Sequence, residues 1–299
     1  MPLPGKSILP LFFLTVFLGA IILGPLLYFG LAVVWPTPFH RAMDRALLIS
    51  AVAALGLFWA RIPLAKLWPL NGDAWKQLLI GYLIAVVSIQ AMIGLNLAFS
   101  GFTSAHLSGG KAMERILLAA VAALLVPPLE ETVFRGFIQR ELVRGLGWRA
   151  GWILAALVYA LAHFLTTSGL DKEPVHWWSG AAAWPAMFAQ AGVDLASLEN
   201  AVKALNLFLL GLVLGGLFLR AESLWANAGL HAGLILGLLL FTGLTRPDDP
   251  PRVAWLGGNI LSSFVTTVVI LLLGLWIWRF YRHPSIMPEP APGTGASPR

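Results

Sequence analysis

Apolar residues run along this chain for bilayer-spanning lengths, and nearly all the charge sits in the short stretches between them. Runs of roughly 17–25 apolar residues predict transmembrane helices. Eight can be read, at 8–34, 42–60, 78–99, 113–126, 148–165, 202–219, 224–241 and 257–278. The first run is too long for a signal-peptide core and has no small-residue cleavage site after it, so it reads as a retained span. The fourth meets Pro127-Pro128, which remove the amide donors for the carbonyls of Ala123 and Leu124. That predicts a break, with Glu130 and Glu131 in the first turn of a new half-helix, where the positive end of the dipole favours buried carboxylates. Residues 166–201 hold Asp171, Lys172, Glu173 and the Trp177–Trp178 pair. They are too polar to cross and too aromatic for a free linker, which predicts an interfacial or re-entrant insert. The expected fold is therefore all-α, a polytopic membrane bundle forming one domain over 1–283, with a Pro-, Gly- and Ser-rich tail, 284–299, disordered in the cytoplasm.

Composition agrees with the pattern: 58% of the 299 residues are hydrophobic and 11% charged, against about 25% charged in soluble domains. The absence of Cys excludes disulfides, thiolate metal ligands and thiol nucleophiles. A net charge of +6 raises nucleic acid as a partner, but the basic residues are scattered over connections and form no patch. They report topology instead. Eight spans put both termini on one side, where eleven Lys and Arg fall against eight on the other. That bias favours cytoplasmic termini, and the compact loops suit a bacterial cytoplasmic membrane.

Intramembrane ionisable groups cost about 2.5–3.5 kcal/mol each on insertion scales and so mark function by default. Those that fall within apolar segments are Glu130, Glu131 and Arg135 on the fourth span, His163 on the fifth and His231 on the seventh. Consecutive helical residues point about 100° apart, so one glutamate can face a cavity while the other faces a neighbouring helix. Arg135, one turn after Glu131, pairs with it, leaving Glu130 the less neutralised carboxylate and the better general base. An ordinary buried ion pair, with Glu130 snorkelling to the interface, explains the same acids about equally well. Two intramembrane His beside them favour one shared polar site. That site requires a shift in span ends, because the spans as read put His163 near the outer end of its helix and Glu130 near the inner end. Small residues at Gly229, Gly233 and Gly237, and at Gly211 and Gly215, predict close helix packing around it.

No His begins an H-E-x-x-H, and every Asp falls at a span end or in a connection, leaving no buried aspartyl dyad. Glu130-Glu131-Thr-Val-Phe-Arg135 matches E-E-x-x-x-R, a pattern this composition produces by chance on the order of 0.01 times. With Tyr159-Ala-Leu-Ala-His163 for F-x-x-x-H, and His231 as the third element, residues 116–240 resemble the CAAX-processing type II proteases and the CPBP (Abi) family of intramembrane glutamate proteases. The family's third motif places Asn or Asp four residues after the His, where this chain has Ile235.

The resemblance implies an intramembrane endopeptidase acting on a membrane-associated substrate, prenylated CAAX-type peptides included, from a site open to the cytoplasm. It implies Glu130 activating water, His163 positioning that water, His231 stabilising the oxyanion, and Glu131, Arg135 and Tyr159 in support. Asn227, one turn before His231, is the expected replacement for the missing donor. No cofactor is expected. Glu130, His163 and His231 also make a plausible Zn²⁺ set with one open position, the minority reading. Two other classes fit the residues: a catalytically inactive relative serving as a membrane scaffold or immunity factor, and a proton-coupled transporter, against which the lack of an inverted repeat counts.

Overall fold

The computed structural model describes residues 8–32, 38–58, 62–99, 101–165, 167, 170, 174–221, 223–247 and 259–280. The expected tail 284–299 and the charged trio Asp171, Lys172 and Glu173 lie outside them. In hydrocarbon every backbone donor and acceptor must be satisfied within the segment, which leaves helix as the solution for these apolar runs. The chain forms α1 (Leu9–Ala32), α2 (Phe39–Leu57), a single turn α3 (Leu64–Leu67), α4 (Gly72–Phe99), α5 (Gly109–Glu131), a π-helix (Thr132–Gln139), α6 (Arg140–Leu146), α7 (Trp148–Ala162), α8 (Ser179–Leu195), α9 (Leu198–Arg220), α10 (Trp225–Leu244) and α11 (Phe264–Phe280). Among the described residues, five stretches are long and apolar enough to cross a membrane: Leu9–Gly30, Gly72–Phe99, Gly109–Leu146, Leu198–Arg220 and Trp225–Leu244. Trp148–Ala162 and Phe264–Arg279 are shorter apolar helices. The fold is an all-α membrane bundle, and α8, which packs on α1, is the helix within the predicted 166–201 insert.

The expected break at Pro127-Pro128 does not occur. Both prolines lie inside α5, which runs on to Glu131, widens into the π-helix and continues through α6, so that Gly109–Leu146 is one 38-residue stretch. A proline φ near −65° is compatible with helix even though its amide is lost. Thr132 Oγ1 donates to the carbonyl of Pro128 at 2.7 Å, and Trp68 Nε1 to Thr132 Oγ1 at 3.1 Å, steadying the transition. Glu130 and Glu131 therefore end an α-helix rather than begin one, and the dipole argument for their burial falls. The same continuity settles the depth problem: with the helix extending to Leu146, Glu130 lies mid-bundle.

Packing brings α10 to the centre, against α4, α5 and α9. The α4–α10 seam depends on glycine. A Cβ on Gly229 would lie 2.0 Å from the carbonyl oxygen of Leu78, and one on Gly81 2.2 Å from that of Ala226. Backbones this close exclude any side chain, and the seam fixes the rotation of α10 and hence of His231. The apolar core around it includes Ala85, Ile89, Leu214, Leu217, Leu230 and Ile270. Phe102–Ser104 and Thr245–Pro247 pair as a two-stranded antiparallel ribbon joining the ends of α4 and α10.

Candidate active site

Glu131 and its neighbour point in different directions, as helical geometry requires. Glu131 is fully buried against α10, where its Oε1 is 2.9 Å from His231 Nδ1 and its Oε2 accepts from Asn227 Nδ2 at 3.2 Å. Arg135 Nε lies 3.5 Å from the same Oε2, both side chains wholly inaccessible. The guanidinium also lies over the Tyr159 ring, 4.7 Å from its centroid. Glu131 thus closes a network tying the π-helix to α10.

Glu130 turns the other way. Its side chain retains 27% exposure, and its Oε2 lies 3.8 Å from His231 Nε2. It lines a cavity of about 130 Å³ together with Tyr159, His163, His231 and Ile235. Three helices thus deliver the carboxylate and both imidazoles to one space. His163 Nδ1 is 2.8 Å from the carbonyl oxygen of Tyr159. A carbonyl only accepts, so Nδ1 carries the hydrogen, and in the neutral ring Nε2 is an acceptor. His231 is oriented the same way, its Nδ1 committed to Glu131 and its Nε2 left toward Glu130. Tyr159 meets His163 and His231 edge-on, at centroid separations of 4.6 and 6.3 Å, and fixes both rings.

Asn227, the expected oxyanion donor, is not among the cavity-lining residues. It is fully buried behind the cavity, its Nδ2 donating to Glu131 and, at 2.7 Å, to the carbonyl of Leu214. Its position orients Glu131 instead. Ile235 does line the cavity, so the place where the resemblance implies Asn or Asp is apolar. Among the described residues no three His, Cys, Asp or Glu side chains are grouped closely enough to hold a metal ion.

Sequence reasoning missed the cavity's far wall. The 3₁₀ turn Ile260–Ser262 contributes Ile260 and Leu261 to the lining. It is held by Asn206 of α9, whose Nδ2 donates to the carbonyls of Leu261 and Ser263 at 2.8 and 3.1 Å, while its Oδ1 accepts from Thr267 at 2.6 Å. A filter for polar as well as ionisable residues inside spans would have singled out Asn206. The lining residues come from α4, the end of α5, the end of α7, α9, α10 and the first part of α11.

The fold and site are those of a helical membrane protein with a desolvated Glu and two His around an apolar cavity. Residues 112–237 match the family model described as type II CAAX prenyl endopeptidase Rce1-like. No curated protein and no solved structure matches the chain.

Proposed function

We propose that the protein is an intramembrane endopeptidase that hydrolyses peptide bonds with a water activated by Glu130. The observation that carries this reading is the convergence of Glu130, His163 and His231 on one largely apolar cavity. Water held between Glu130 and His163 Nε2 gives its proton to the Glu130 carboxylate as its oxygen attacks the scissile carbonyl. His231 donates from Nε2 to the developing oxyanion, its ring held at Nδ1 by the Glu131 carboxylate. Donors aimed at developing charge act strongly where water is scarce. Glu130 then returns the proton to the leaving amine. Arg135, Tyr159 and Asn227 hold Glu131 and the imidazoles in place, and the reaction needs no cofactor.

The basic bias supports cytoplasmic termini, and the cavity lining is largely apolar. A membrane-inserted peptide segment is accordingly the first substrate to test, with prenylated CAAX-type peptides as the comparison. Purified protein in liposomes should cleave such peptides in the presence of a chelator, and Glu130→Ala should not. Cleavage by Glu130→Ala refutes the assignment of the base, and chelator sensitivity refutes the cofactor-free mechanism. A second reading, an inactive relative acting as a scaffold or immunity factor, is favoured by Ile235 in the cavity wall. Failure of the wild type to cleave any peptide supports it.

A further inference from the structure

A second apolar recess, about 240 Å³, lies between α7, α9 and α11. Its lining is aliphatic apart from Trp152, Trp278 and Arg220, and Gly216 and Gly274 leave room in its floor. Leu271 and Leu275 beside it are 48% and 66% exposed, so the recess opens sideways on the face where acyl chains pack.

Its mouth carries an ordered stack of alternating chemistry. Trp148 and Trp152 are stacked at 6.5 Å with 23° between planes, and Trp152 and Trp278 at 6.4 Å with 10°. Arginines cover both ends: the Arg149 guanidinium is 5.1 Å from the Trp148 ring, and that of Arg220 is 3.7 Å from the Trp278 ring. Trp152 Nε1 donates to the carbonyl of Leu212 at 2.9 Å, and Arg220 Nη1 to that of Trp278 at 3.0 Å, so the stack is tied to α9 and α11. Tryptophan at a helix end marks the membrane interface. Guanidinium groups already oriented there suit a phosphate, which they meet with paired donors.

We propose that this recess binds an anionic phospholipid of the surrounding bilayer, one acyl chain between α9 and α11, the phosphate at Arg220, and Arg149 at the other end of the stack adding to the positive field at the interface. A protein partner would have to compete with lipid for a concave, laterally open face. A zwitterionic lipid would fill the recess without using the net charge at its mouth. Ile270 lines both this recess and the Glu130 cavity, so the bound chain abuts a residue of the cavity wall.

The test is native mass spectrometry of the full-length protein with phosphatidylglycerol or phosphatidylcholine of identical acyl chains, without any peptide substrate. Each interfacial arginine contributes about fivefold toward anionic lipid, so the wild type should retain phosphatidylglycerol over phosphatidylcholine by about 25-fold. Arg149→Gln/Arg220→Gln should bring that ratio close to one while still retaining lipid. Gly274→Phe, which fills the recess, should lose both lipids. Equal retention by the wild type, an unchanged preference in the double variant, or undiminished retention by Gly274→Phe overturns the proposal. So does displacement of the phospholipid by a prenylated peptide at equal concentration, which would make the recess a substrate site.

Discussion

Glu130 and Glu131 are adjacent in sequence and opposite in what their loss should do. Removing the Glu131 carboxylate leaves the Arg135 guanidinium buried with no hydrogen-bond partner among the described residues, and takes an acceptor from both His231 and Asn227. Breaking one side of a buried charge pair costs about 3–5 kcal/mol. Glu131→Ala should therefore lower the unfolding free energy by that amount. Glu130 makes no hydrogen bond through its buried Oε2 and is partly exposed toward the cavity. Glu130→Ala should change stability by less than about 1 kcal/mol, the scale of substitutions that break no buried network, while abolishing cleavage. The assay is reversible unfolding in mixed micelles, followed by tryptophan fluorescence, with cleavage measured on the same preparations. Replacing the pair together, as Glu131→Gln/Arg135→Met, should cost less than the sum of the two single changes, because no unpaired charge then remains. Equal destabilisation by the two glutamate variants, or additivity in the double variant, would refute the separation of roles.

Gly229→Ala drives a Cβ into the Leu78 carbonyl; forcing α4 and α10 apart should cost about 1–3 kcal/mol and lower cleavage, since His231 is two residues away. Asn206→Leu removes the donor from two carbonyls of the cavity wall. It should destabilise by about 1–3 kcal/mol and increase hydrogen exchange at 260–263, with unchanged exchange contradicting its role as the tie. Ile235→Asn places a donor beside His231 and should raise the cleavage rate, by up to about 10²-fold if that donor reaches the oxyanion. An unchanged rate would mean that His231 alone suffices.

The spans were legible because hydrocarbon permits one secondary structure and the apolar runs have its length. The site's polar members were legible for the complementary reason, since each ionisable group placed within an apolar segment must be accounted for, and Glu130, Glu131, Arg135, His163 and His231 do converge. What failed depended on how helices terminate and face one another. The Pro127-Pro128 pair has a local rule that predicts a break. The π-helix that follows absorbs the lost bonds through tertiary contacts such as Trp68 to Thr132, 64 residues apart. Asn227 lies on the same helix as His231, and sequence spacing alone did not reveal that Leu214 and Glu131 would claim its amide. The cavity wall at Ile260 and Leu261 is built by chain distant from every motif.

Single-turnover cleavage of a membrane-inserted peptide in H₂¹⁸O, with the products and the enzyme analysed by mass spectrometry, bears most directly on Glu130 as the group that activates water. The wild type should place one ¹⁸O in the new carboxylate during the first turnover and leave Glu130 unlabelled, and Glu130→Ala should yield no product. Product from Glu130→Ala, or first-turnover product free of label with ¹⁸O found in Glu130, would contradict it.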